Sequence, residues 1–311
     1  MTDFCNALRT YAVAALALVM AVPLPLAAQT VVPPIVKAEN LRQVSPHVHV
    51  ITDGGIAQVP NVGIIVGEKA VLVVDTGLGM RNGATVAAAA RQLAGARPIH
   101  LVTTHVHPEH DLGAQAFSAE TKMIRSTAQE AEIARNGMDL VAIFRRLSAS
   151  HKELLEGAAF RKADVTFEKD YALDLGGLSV RIMAAGPTHT LGDTAVWIDT
   201  DRVLFAGDIA MLGMPSFMGP QSSLGHWLVA LDQLDALKPA VIVPSHGPLG
   251  AGEYLATTRA YLTEVRDRTI SEKKIGWTVE QAIEKVTAAI GNRYPNNRLA
   301  GAVAAAYREA P

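Results

Sequence analysis

Cysteine is all but missing from this chain: Cys5 is the only one, and it lies in the stretch that leads into an apolar run. Everything beyond it therefore has no disulfide and no thiolate metal ligand. Aromatic residues are scarce too, at 5%, too few for the stacking platforms that grip single-stranded nucleic acid. Neither sign of charge prevails, with 28 Lys and Arg against 30 Asp and Glu, and no basic run stands out. The electrostatic footprint of a nucleic-acid binder is absent. So is an apolar run of about 20 residues, the length that spans a bilayer. The run from Tyr11 to Leu26 is shorter and is interrupted by Pro23 and Pro25.

What is present begins with a leader. Arg9, the apolar run, and then Ala27 and Ala28 give the basic, apolar and small-residue order of a secretory signal. Residues 1–28 are expected to be removed near Gln29, which implies a periplasmic or secreted protein with no stable membrane anchor. No cysteine follows the small residues, which argues against a lipid anchor. Residues 29–311 are long enough to bury a large core without staples and are expected to form one domain.

Within it, apolar runs alternate with turns and amphipathic stretches. Val48–Thr52, Val62–Val66, Ala70–Val74 and Ile99–Thr103 read as strands, with an Ala-rich helix over residues 83–94. Ser126–Glu156 has helical periodicity, with Ile133, Leu140, Ile143, Phe144 and Leu147 on its apolar face, and reads as a helical insert. Val165–Leu173, Leu178–Met183, Ala195–Asp199, Val203–Ala206 and Ala240–Pro244 read as further strands. His226–Leu237 reads as a helix, and two or three more fill residues 253–311. The alternation argues for layered α/β packing. Val71–Gly77 and Val203–Asp208 faintly echo each other, so two similar halves are expected to meet at one rim.

The chemistry is concentrated at the ends of these strands. Thr104–His110 reads T-H-V-H-P-E-H, three histidines and a carboxylate within six residues. His189, Asp208 and His246 follow later, each closing or directly following an apolar run. Imidazole and carboxylate are ligands for zinc and its neighbours, and their convergence at strand ends points to metal ions. Asp75 also ends a strand, where it either supports a ligand or forms a turn. Thr104, Thr188 and Thr190 flank the ligand types, while Asp193 reads as a turn or capping residue. His47, His49, His100, His151 and His226 read as ordinary surface or core histidines. Met211, Met214, Met218 and Phe217 lie in an irregular apolar segment after Asp208 and are candidates for a substrate-pocket wall. Gly54–Pro60 is a candidate flap.

With its H-x-H-x-E-H stretch, V-D-T-G at 74–77, H-T-L-G-D-T at 189–194 and S-H-G-P at 245–248, the chain resembles the metallo-β-lactamase superfamily. That family's motif is H-x-H-x-D-H, so Glu109 stands where Asp is usual. The resemblance covers about residues 45–250. It implies an α/β fold, the four-layer αβ/βα sandwich of two mixed β-sheets with helices outside and the site at one edge. It also implies one metal on His105, His107 and His189 and a second on Glu109, His110 and His246. Asp208 bridges both, and Asp75 and Thr104 support the shell. Asp208 and Glu109 are then the candidate catalytic carboxylates.

The expected activity is an exported, dinuclear Zn2+ hydrolase, with iron or manganese also compatible, in which a metal-bound hydroxide cleaves an ester, lactone, thioester or amide bond. The expected partner is a small, partly apolar substrate. β-Lactam hydrolysis is the runner-up, weakened because two β-lactamase classes place Cys where Asp208 stands. A redox di-iron protein and a non-catalytic periplasmic metal-binding protein are the readings from other classes. The first normally carries a different acidic residue in the motif and a flavin domain, and neither is visible.

Overall fold

The computed structural model describes residues 31–211, 215, 217–294 and 296–311. The leader expected over residues 1–28 lies outside the described residues, as does Met214. Among those described, no helix is long and apolar enough to cross a membrane.

Two sheets face each other. The larger has seven strands in sequence order: β1 (Leu41–Gln43), β2 (Val48–Ile51), β3 (Val62–Val66), β4 (Val71–Val74), β5 (Ile99–Val102), β6 (Lys122–Ser126) and β7 (Val165–Phe167). Pairing is antiparallel from β1 to β4 and parallel from β4 to β7. The smaller runs β12 (Val241–Pro244), β11 (Val203–Gly207), β10 (Thr194–Ile198), β9 (Ser179–Ala184) and β8 (Asp170–Asp174). Only its β11–β12 pair is parallel.

The two-residue period of a strand assigns each side chain to a layer. Leu72 and Val74 of β4, Val196 and Ile198 of β10, and Val203 and Phe205 of β11 fill the space between the sheets. Val71 and Val73 point the other way, against Val86, Ala89 and Ala90 of α1 (Gly79–Ala94). Trp197 and Leu204 pack outward on α6 (Leu224–Asp235) and α7 (Glu253–Ile275), with α8 (Val279–Ile290) and α9 (Asn296–Glu309) beyond. Both faces of the central strands are covered, so β4, β10 and β11 read as unbroken apolar runs. The result is the four-layer αβ/βα sandwich with two mixed sheets.

The structure corrects or refines the reading of several segments. Val165–Leu173 is two strands, not one: the chain leaves the larger sheet after Phe167 and enters the smaller at Asp170, with only Glu168 and Lys169 between. The short β1 was not anticipated, since Leu41–Gln43 carries no apolar run. The stretch 126–156 is broken into α3 (Thr127–Glu132), a π-helical turn (Ile133–Gly137), α4 (Met138–Arg145) and α5 (Ala149–Leu154). On α4 the buried residues are Val141 and Phe144, whereas Ile143 and nearby Leu147 are 46% and 53% exposed. A further short helix, α2 (Pro108–Asp111), carries half of the histidine motif.

Candidate metal centre

Each candidate ligand sits just past the C-terminal end of a strand, in a loop or, for Glu109 and His110, on the short helix α2. After β4, Asp75 takes a left-handed backbone, φ 64°, uncommon outside glycine but tolerated by Asp. The next residue, Thr76, donates from its amide and hydroxyl to the His110 carbonyl at 2.8 and 2.9 Å. The chain there approaches so closely that a Cβ on Gly113 would stand 2.0 Å from the Thr76 carbonyl oxygen. Turn and motif are thereby locked together. Asp208 follows β11, His246 follows β12, and His189 lies in the loop between β9 and β10.

His105, His107 and His189 form the first cluster, with ligand atoms within 4.8 Å of one another. His105 Nε2 and His189 Nε2 stand 3.1 and 3.3 Å from His107 Nδ1. Two nitrogens bound tetrahedrally at the zinc–nitrogen distance of about 2.0–2.1 Å stand about 3.4 Å apart, so the spacing fits one ion. The far nitrogens set the tautomers: His105 Nδ1 lies 3.1 Å from the Thr104 hydroxyl and His189 Nδ1 donates to the Phe217 carbonyl at 2.6 Å. Burial, followed by the neighbouring histidines, holds His105 and His107 well below the usual imidazole range. They are neutral donors, the form a metal requires.

Glu109, His110 and His246 form the second cluster, and Asp208 groups with His105 and His110 between the two. Its Oδ2 lies 3.4 Å from His189 Nε2, so its carboxylate reaches both clusters. His246 Nδ1 donates to the Val59 carbonyl at 2.9 Å, and His110 Nδ1 donates to Asp75 Oδ2 at 2.8 Å. Asp75 also accepts from the Thr104 amide and hydroxyl at 2.7 and 2.9 Å. One carboxylate thus contacts residues at both clusters. Glu109 Oε2 and His110 Nε2 are buried without a hydrogen-bond partner. Such orphans are costly unless a further group satisfies them, and a cation facing this donor set does so. Burial pushes the Glu109 carboxyl up, against the pull of His110 and His246. For His110, burial lowers the value, but Asp75, Glu109 and Asp208 together outweigh it, and the ring is pushed up to about 9. Asp208 is raised by burial yet held well below the usual carboxylate range by the surrounding histidines.

The model of the metallo-beta-lactamase superfamily matches residues 56–246, which include every candidate ligand. The chain belongs to the metallo-beta-lactamase superfamily. It is 26% identical over 262 residues to a linear primary-alkylsulfatase of Pseudomonas sp. (strain ATCC 19151), covering 72% of this chain and 49% of the relative. It is also 26% identical over 186 residues to an acyl-coenzyme A thioesterase of Gallus gallus, covering 56% and 66%. The chain thus spans about half the length of the alkylsulfatase. Among solved structures, the sec-alkylsulfatase Pisa1 from Pseudomonas sp. superposes with a TM-score of 0.69 at 17% identity, over 86% of this chain and 49% of that one. A metallo-beta-lactamase from Pontibacter korlensis gives 0.59 at 20%, over 72% and 98%. At these identities the structural likeness establishes the fold.

The structure brings all seven expected ligands to one edge, with Asp75 and Thr104 beneath them. The expected pocket wall is only partly placed there. Phe217 is 45% exposed and anchors His189 through its carbonyl; Met211 is buried, and Met218 packs into the outer core beside α6 rather than lining a pocket. Gly54–Pro60 is tied down at its end, because Val59 holds His246. His47 pairs with Asp201 at 3.0 Å, His226 is exposed on the first turn of α6, and neither approaches the cluster geometry. Asp193 does more than turn the chain: buried, it accepts from the Thr188 hydroxyl and from the Thr190 amide and hydroxyl at 2.6 and 2.8 Å, which shapes the His189 loop. Glu132 Oε2 accepts the Leu191 and Gly192 amides of the same loop. Sequence reasoning missed Glu132. It also missed the buried Asp111–Arg125 pair, whose one signal was a lone arginine in the strand β6.

Proposed function

We propose that this chain is a metal-dependent hydrolase holding two divalent cations, zinc in the first instance, that cleaves a small and partly apolar substrate. His105, His107 and His189 hold one ion, Glu109, His110 and His246 hold the other, and Asp208 is shared. The observation that carries this reading is the pair of ligand clusters meeting at Asp208, with buried orphan atoms on Glu109 and His110 facing inward. Bound ions supply Lewis acidity toward a carbonyl, sulfuryl or phosphoryl oxygen and an activated water. The same donor set accepts iron or manganese.

The chain's own residues then have separate tasks. Neutral His105 and His107 donate lone pairs without first losing a proton. Asp75 orients His110 and, through Thr104, the approach to His105. Asp193 and Glu132 hold the His189 loop, and the exposed Phe217 ring together with the Phe144 ring, 5.8 Å from the His107 ring, offers apolar contact beside the ions. No protein nucleophile is required.

The names of the relatives support testing sulfate esters and thioesters first, followed by carboxylic esters, lactones and β-lactams. The test is metal analysis of the protein from its native compartment, with turnover measured on that panel. Two ions per chain and hydrolysis of at least one class, both abolished by chelation, are expected. Two ions with no turnover would leave the non-catalytic metal-binding reading. We further propose export, which rests on the composition of residues 1–28. Mass spectrometry of the natural protein is expected to find its N-terminus near Gln29, and a chain retaining Arg9 would overturn it.

A further inference from the structure

Beneath the metal cluster lies a second polar assembly that no ligand explains. Thr103, Asp111, Arg125 and Gln129 are all wholly buried. Arg125 Nη2 reaches both carboxylate oxygens of Asp111 at 2.9 and 2.9 Å. Its Nη1 donates to the Arg161 carbonyl at 2.8 Å and to the Glu130 carboxylate. Thr103 donates to Asp111 Oδ2 at 2.7 Å, and Gln129 Nε2 donates to the Thr103 hydroxyl at 2.9 Å.

Placement gives this assembly its meaning. Arg125 is on β6, the parallel neighbour of β5, so its base is fixed in the sheet. Thr103 directly follows β5, two residues before His105. Asp111 directly follows His110 on α2, which has only four residues. A helix that short cannot define its own orientation, because one turn does not repay the cost of nucleation. Burying a guanidinium and a carboxylate is itself expensive, and apolar residues of similar size commonly serve a core as well or better. The planar guanidinium supplies direction that apolar packing lacks, because Nη2 spans both Asp111 oxygens while Nη1 is held by the Arg161 carbonyl and Glu130.

We propose that Arg125 is a positioning residue for the second metal site: its Nη2 spans both carboxylate oxygens of Asp111 and so sets α2 with Glu109 and His110 facing the ion. The inference rests on the two-ion reading above. Arg125 itself touches neither ion nor substrate, and the three-histidine site depends on it little.

The test uses zinc titration by calorimetry on the full chain stripped of metal, with melting measured alongside. Arg125→Met is expected to weaken the second ion tenfold or more and to change the first less than threefold, in line with the effect of outer-shell partners. Arg125→Lys keeps the charge, loses the planar guanidinium and falls between, and it serves if the Met variant does not fold. The double variant Arg125→Met/Asp111→Asn removes both wholly buried charges of the pair, so its melting temperature should recover while the second ion stays weak. Second-ion affinity that recovers along with the melting temperature would mean a merely structural pair and would overturn the proposal, as would equal loss of both ions. A native chain that takes only one ion refutes the two-ion reading instead. Positioning is then read without metal, from exchange of the His110 Nδ1 proton, which is held by Asp75. Faster exchange in Arg125→Met supports the proposal, and unchanged exchange overturns it.

Discussion

The two ligand clusters are built from similar residues and prepared in opposite ways. Burial holds the His105 and His107 rings well below the usual imidazole range, and the His105 and His189 rings are fixed through their far nitrogens by uncharged groups, the Thr104 hydroxyl and the Phe217 carbonyl. They form a ready site with an open position, a sufficient set for one zinc. In the second cluster His110 is held by a charged carboxylate, Asp75, and is pushed up to about 9, so it carries a proton at neutral pH. That cluster must shed the proton before it can bind. The contrast teaches that orienting a ring with a carboxylate strengthens it as a ligand and also makes its loading pH-dependent.

The largest effect is expected where the clusters join. Asp208→Asn keeps the volume but removes the charge that two cations would share. Both ions should weaken and turnover should fall by orders of magnitude, as metal analysis and kcat on the best substrate will show. Near-normal activity with two bound ions would mean that the clusters do not meet at this carboxylate.

Next is Asp75, which tests the asymmetry directly. Asp75→Ala removes the acceptor for His110 Nδ1 and for Thr104, so the second ion should lose about 10–100-fold in affinity. The first should lose less, since His105 keeps the Thr104 hydroxyl. Equal losses at both sites would show that Asp75 holds up the whole edge.

A gentler probe is pH. The folded value of His110 is raised, so its contribution to the stability of metal-free protein is fully present below the unfolded value of about 6.5. It is lost as pH rises through about 9, and melting of the stripped protein should decline across that window. Loading the second ion displaces the proton, so its affinity should rise about tenfold per pH unit up to about 9 and then level off. The first ion, which draws on His105 and His107 held well below the usual imidazole range, should show little dependence over the same range. Calorimetric titrations at pH 7, 8 and 9 would distinguish the two. A first ion as pH-sensitive as the second would contradict the protonation states assigned here.

Much of this arrangement was legible from the sequence because the signals were local. β5, β11 and β12 are apolar runs that stop at His or Asp, and such runs with polar termini describe strands covered on both faces with a site at their ends. The missed features depend on which strands become neighbours. Arg125 meets Asp111 because β6 lies beside β5, with Val102 opposite Ile124, and no spacing in the sequence reports that pairing. Likewise, Val165–Leu173 keeps its strand character across Glu168 and Lys169, and only the closure of two sheets explains the change of partner. Ile143 and Leu147 fit a helical apolar face, yet the face that packs is set by the position of Leu112 and Leu154 beneath α4.

The smallest expected effect bears on the comparison most sharply. Glu109 is one methylene longer than the aspartate of the family motif, and its Oε1 already lies 3.8 Å from His110 Nε2, close enough to hold the protonated ring in the metal-free state. Glu109→Asp shortens that reach. It should weaken the pairing with His110, lower the proton's hold on the ring and change second-ion affinity several-fold. The three-histidine site has no contact with this carboxylate among its hydrogen bonds and should be almost untouched. Calorimetric zinc titration of both proteins should therefore show two binding steps, with the first superimposable and the second displaced. A single step of two equal ions in the native protein, or a substitution that moves only the first step, would overturn the assignment of Glu109 to the second site.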